Sequence, residues 1–218
     1  MPVTWFVVLV LSLTAIVGSR CLKTRNPSRF QAFLEFAVSS LESFVRGIVG
    51  DQDARLLTPI IGTIFLFILT LNLWGLIPGF ISPTANINTP VALALFAFVL
   101  VQVIGLWRQG LGYLKHFLGE PVWLAPLMLP IHVIGELARP LSLSVRLFGN
   151  IFGEDMIIAI LIVIVMSLVK AALPAYLLMP AQFPMMLFAV FTSFVQALVF
   201  SMLVSIYIAV AVAGHEEH

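Results

Sequence analysis

The sequence predicts an all-α integral membrane protein with about five transmembrane helices and one amphipathic interfacial helix, the last two helices being long. Three observations carry this prediction. Hydrophobic residues fill 61% of the 218 positions and charged residues 10%, with mean hydropathy +1.12, whereas a soluble domain holds about 45–50% apolar and about 25% charged residues. The apolar residues also fall into runs of the length a bilayer crossing needs, ~20 residues. Finally, Lys and Arg collect in alternate connections, as they do when a chain threads a membrane. The whole chain, 1–218, is expected to be a single membrane domain, with no room for a separate soluble domain of usual size.

The first span is expected over 1–19. The apolar run from Val3 to Gly18 has no Lys or Arg ahead of it, and Arg20 directly before Cys21 spoils a lipoprotein-type cleavage site, so it reads as a retained span. Cys21 is the single cysteine, which excludes an internal disulfide and a CxxC metal site. Residues 27–50 are different in kind. Phe30, Phe33, Leu34, Ala37, Leu41, Phe44, Val45 and Ile48 recur at helical spacing, while Arg29, Glu35, Glu42 and Arg46 fall outside that stripe. This is the pattern of an amphipathic helix in the membrane interface; a helix packed on a partner's soluble face is the alternative.

Spans two and three are expected over 56–77 and 90–106, with Asn72 and Gln102 as isolated interhelical hydrogen bonders. Pro78, Pro83 and Pro90, with Asn86 and Asn88, make the connection between them a turn-rich loop. The fourth, long helix is expected over 130–169 and the fifth over 182–213, joined by a hairpin marked by Pro174, Pro180 and Pro184. The first connection holds Arg20, Lys23, Arg25, Arg29, Arg46 and Arg55, the second no basic residue, the third Arg108 and Lys115, and the fourth only Lys170. That alternation puts the N-terminus outside and the first and third connections in the cytoplasm. With five spans, the Glu216–Glu217 tail ends inside by parity.

The segment from His132 to Asp155 breaks the apolar rule. It carries Glu136, Arg139, Arg146, Asn150, Glu154 and Asp155, then runs into Met156–Val169. That apolar stretch spans only ~21 Å at 1.5 Å per residue, short of the ~30 Å hydrocarbon core, so the span must draw in earlier residues and carry Arg146 and Asn150 to membrane depth. At about 100° per residue, His132, Glu136, Arg139, Arg146, Asn150 and Glu154 fall within roughly 80° of one another, with Asp155 nearly opposite. Pro140 makes the angles before it less secure. An Arg at this depth costs at least about 2.5–3.5 kcal/mol and normally faces a bundle interior, a water cavity or a partner. It either locks helices together by pairing with Glu136 or Glu154, or it stands on an ion pathway. The last span adds Thr192, Ser193 and Gln196, then Ser201, Ser205 and Tyr207. Gln196, with donors and an acceptor to satisfy, serves as glue against Asn150 or Arg146, lines a wet path, or does both.

Other chemistries find no support. His116, His132, His215 and His218 lack metal-ligand spacing, and no nucleotide-binding glycine loop, HExxH or nucleophile elbow is present. No cofactor and no catalytic site are expected. A net charge of +1 offers no basis for a nucleic-acid partner.

The run from Arg139 to Asn150, Arg-Pro-Leu-Ser-Leu-Ser-Val-Arg-Leu-Phe-Gly-Asn, resembles the signature of subunit a of the F-type rotary ATP synthases. The run Val195-Gln196-Ala197-Leu198-Val199-Phe200, with Tyr207 and the tail His215-Glu216-Glu217-His218, is similar to that family's last helix. The resemblance implies two long, tilted last helices packed against a ring of proteolipid c subunits, each carrying one carboxylate, with two offset half-channels leading to the ring. It also implies peripheral-stalk b subunits as partners, a bacterial inner membrane as the setting, and no catalytic site for ATP in this chain. Arg146 matches the essential arginine that meets the ring carboxylate and separates the half-channels. Asn150 and Gln196 match polar positions near it, and Asp155 matches the acid or His of the outer channel, with Glu154 beside it. The sequence departs from the family in having Ala189 where a charged residue or His is frequent, and His132 where some members have an acid; Glu136, Glu154 and Asp155 are then candidates for the missing proton handling. The ring carboxylate's surroundings, not this chain, decide between H⁺ and Na⁺. The rival reading is a stand-alone secondary transporter with its site at Arg146; a third is a scaffold with buried ion pairs.

Overall fold

The computed structural model describes residues 2–20, 29–77, 82–110, 125–170 and 175–213. Cys21, Lys23, Arg25, Pro78, Lys115, His116, Pro174 and the tail from His215 lie outside them. The described residues form α1 (Pro2–Arg20), α2 (Arg29–Val49), α3 (Asp51–Trp74), a 3₁₀ turn (Pro83–Ala85), α4 (Asn88–Gln109), α5 (Ala125–Lys170) and α6 (Ala175–Ala213), with no strand among them. Four of these helices, α3 to α6, are long and apolar enough to cross a membrane, and α1 contributes a shorter apolar stretch, Thr4–Leu13.

Backbone chemistry sets the helix boundaries. Gly50, at φ 90°, turns the chain between α2 and α3 in a single residue, a conformation open mainly to glycine. Asp51 and Asp53 then sit in the first turn of α3, where negative charge complements the helix dipole. The tight turn folds α2 back along α3, so that a Cβ on Gly62 would come within 2.8 Å of Leu41 Cδ2. Gly110, at φ 58°, ends α4.

The prolines act differently from the sequence expectation. Pro180 and Pro184 lie inside α6 rather than in a hairpin turn, and α5 runs unbroken through Pro130 and Pro140. In hydrocarbon every freed backbone group is costly, so a helix that loses one hydrogen bond at proline is still preferred to an irregular segment. At 46 residues, α5 is ~69 Å long by its rise. That is more than twice the hydrocarbon core and requires tilt, curvature or projection beyond it.

Helix α6 is the centre of the bundle and packs against α2, α3, α4 and α5. The core joins Val45, Leu57, Ile61 and Ile68 to Ala94, Ala97 and Val101, to Leu143, Leu147 and Ile151, and to Ala197, Phe200, Val204 and Ile208. Alanines on facing helices allow the close approach on which packing in lipid depends. One end is tied by charge and amide contacts: Arg46 to Glu42 and Asp51, Arg108 to Asp53, and Gln109 to the carbonyls of Ala211 and Val212 at 2.7 and 3.2 Å. The other end holds Phe6 edge-on to Trp74 at 5.6 Å and a buried knot in which Thr84 donates to Asn72 Oδ1 at 3.0 Å.

Candidate functional site

The polar stripe of α5 meets α6 in regular antiparallel steps. Asn150 Nδ2 donates to Gln196 Oε1 at 2.6 Å. One turn further along α5 and one turn back along α6, Thr192 Oγ1 donates to Glu154 Oε2 at 2.6 Å. Eleven residues the other way on both helices, the Arg139 guanidinium lies over the Tyr207 ring at 5.0 Å. These contacts hold the stripe in register along about four turns of helix, as side chains four apart share a face.

Around Asn150 and Glu154 opens a groove of about 390 Å³. Its floor is Gly149 and Gly153, where an added Cβ would meet nothing within 4 Å. Phe188 and Phe191 form apolar walls, and Thr192 and Gln196 face the two polar groups of α5. Such a groove offers oxygen and amide groups to water or a proton carrier in an otherwise apolar slab.

Arg146 lies near the middle of the apolar stretch Met128–Ser167, and Gln196 near the middle of Phe183–Val212. Each is thus central in the apolar part of its own helix. The buried arc of α5 runs through Pro140, Leu143, Ser144, Leu147 and Ile151. At about 100° per residue, Arg146 and Asn150 stand on one flank of that arc and Asp155 on the other. Arg146 is exposed. Among the described residues it forms no ion pair: Glu136 is taken by Arg139 at 2.6 Å and Glu154 by Thr192. The expected alternative of Arg146 paired to either acid is thus not what these helices form.

Not every residue expected on the path lines this groove. Ser193, Ser201 and Ser205 are buried on the core side of α6, and Ser205 bonds back to the Ser201 carbonyl at 2.8 Å. Half-buried Asp155 stands apart from the groove, and half-buried His132 lies farther down the stripe. Gln102, expected as an interhelical hydrogen bonder, donates to Glu136 Oε2 at 3.1 Å and so joins α4 to the polar stripe. Only its being a lone amide in an apolar span hinted at this. Among the described residues no group of His, Cys, Asp or Glu is placed to hold a metal ion.

These features define an all-helical, multi-pass integral membrane protein with a line of ionisable and amide side chains along one spanning helix. The ATP synthase A chain family model matches residues 1–209, and the chain belongs to that family. It is 43% identical over 205 residues to ATP synthase subunit a 1 of Pelobacter propionicus, covering 94% of this chain and 83% of that protein. The subunit a proteins of Trichlorobacter lovleyi, at 43%, and Geobacter sulfurreducens, at 40%, match over the same coverage. Membership places the chain in the membrane sector of an ATP synthase, where it serves ion transport for ATP synthesis.

Proposed function

We propose that this chain forms two offset half-channels against a rotating ring of proteolipid c subunits and couples proton flow to rotation of that ring. The observation that carries this reading is Arg146, a cation central in the apolar part of α5, on its open side, with no ion-pair partner among the described residues. A guanidinium stays protonated where a buried ammonium loses its proton. A fixed cation there repels protons and attracts an ionised carboxylate from a partner. The ring carboxylate releases its proton as it reaches Arg146 and is reprotonated after passing it.

The groove at Asn150, Glu154, Thr192 and Gln196 begins one turn from Arg146 on the same face of α5. Glu154 relays protons there and Asp155 from the far flank of α5, while His132 lies on the opposite side of Arg146 along the stripe. The end carrying Arg46, Arg55 and Arg108 is cytoplasmic, which places the groove in the outer half, the N-terminus outside and the C-terminus inside. Peripheral-stalk b subunits hold the chain against rotation, and the membrane is the bacterial inner membrane.

The test is ATP-driven proton pumping and passive leak in inverted vesicles containing the whole complex. Arg146→Lys is expected to abolish coupled pumping with assembly intact. Arg146→Ala is expected to abolish pumping and also open a passive leak. Normal pumping by either variant overturns the proposal.

A further inference from the structure

Arg139 and Arg146 share one helix, ~10 Å apart along its axis and only about 20° apart around it. A carboxylate approaching the stripe from a partner therefore encounters two guanidinium groups of the same kind on the same side. Their surroundings differ. Arg139 Nη1 is 2.6 Å from Glu136 Oε1, its guanidinium covers the Tyr207 ring, and Gln102 from α4 holds the other oxygen of Glu136 at 3.1 Å. Three helices thus converge on one ion pair, with Pro140, Leu143 and Val204 closing a void of about 10 Å³ beside it. Arg146 has no such enclosure.

We infer that Glu136 is a charge-balancing residue that silences Arg139, so that Arg146 alone is offered to the partner's carboxylate. The inference rests on the proposed role of Arg146. An ion pair presents only a dipole, whose attraction for a third charge falls off much faster than that of a lone cation. Taking away one member of a shielded pair leaves the other uncompensated. Tyr207 and Gln102 keep the pair in place by cation–π contact and hydrogen bonding. This task differs from proton relay, the other role open to a carboxylate on this stripe.

The two roles separate in a double variant. ATP-driven pumping per assembled complex in inverted vesicles is measured for Glu136→Gln, Arg139→Gln, the pair combined, and Arg146→Ala. With Arg139 uncovered, Glu136→Gln is expected to slow pumping about tenfold, because a second bare cation holds the ring carboxylate, and the combined variant is expected to return to within about twofold of wild type. A combined variant as slow as Glu136→Gln overturns the inference and makes Glu136 a relay; so does a Glu136→Gln complex that pumps at the wild-type rate. If Glu136→Gln does not assemble, the combined variant decides alone, since relay requires it to fail and silencing requires it to pump. Pumping by Arg146→Ala marks failure of the underlying role of Arg146, whereas a slow combined variant with a dead Arg146→Ala marks failure of this inference only.

Discussion

A guanidinium at mid-membrane depth has two low-cost arrangements, an ion pair within its own chain or a counter-charge from another. The acids nearest Arg146 on the stripe already have partners, Glu136 in Arg139 and Gln102, and Glu154 in Thr192. Neither acid is left to pair with it, which fits the proposed ring carboxylate as its counter-charge. The same geometry bears on the two neighbouring acids. Glu154 lines the groove with Asn150 and Gln196, while Asp155 occupies the far flank of α5, so the two reach different surroundings from adjacent positions. Asp155→Asn is expected to slow pumping severalfold and Glu154→Gln less, with the double change nearly stopping it. Loss beyond the combined single effects is expected if the two flanks are alternative routes, since either acid then still admits protons when the other is lost. Pumping rates in inverted vesicles, normalised to assembled complex, check this; a fully assembled double variant at the wild-type rate removes both acids from the path. The stripe itself was readable from spacing alone, because 3.6-residue periodicity puts Arg146, Asn150 and Glu154 on one face whatever they touch. Which of these groups pair could not be read, since Gln102 and Thr192 are 34 and 38 positions from their partners.

Among the elements, the helices were legible and their ends less so. Hydropathy placed α3, α4, α5 and α6, but proline was read as a stop where the bilayer favours continuing the helix, as at Pro180 and Pro184. The connection between α3 and α4 shows what local signals omit. Its Pro–Asn content predicted a turn, yet the segment is anchored by buried contacts: Ser82 bonds Thr84 at 2.7 Å and Thr84 bonds Asn72. A Cβ on Gly75 would lie 2.5 Å from Ser82 Cβ and 3.1 Å from Ser82 Cα. Because part of that obstacle is backbone, Gly75→Val is expected to cost about 1–3 kcal/mol as overpacking does. It should loosen the anchored loop and lower the thermal stability of the detergent-solubilised complex by several degrees. A Gly75→Val complex with unchanged melting would show that the close approach is unimportant.

For the molecule as a whole, burial is distributed unevenly. Between Phe152 and Ser167 no residue of α5 is buried, whereas α3, α4 and α6 bury residues along their length. The long helix that carries the polar stripe is thus the one with least of its own chain around it. Lipid suits its apolar side chains but not Arg146, which agrees with the proposed seat of the ring on this helix. Expressed without the ring, the chain is expected to be polydisperse in mild detergent. With it, a proteolipid should co-purify and a single species form. A monodisperse chain that transports ions alone would favour the secondary-transporter reading instead.

By itself the sequence determined the solvent, the spans and the polar face, because hydropathy and periodicity act through nearest neighbours and through the bilayer, both of which the order of residues specifies. It also carried the family signature around Arg146. Only the tertiary structure decided which charges are neutralised. Glu136 meets Arg139 and Gln102, and Glu154 meets Thr192, because α6 packs at the centre with α4 and α5 beside it. Contacts between side chains on separate helices depend on that packing, on helix rotation and register. These follow from the fit of Ala97, Leu147 and Ala197 in one core, a fit that no local pattern encodes.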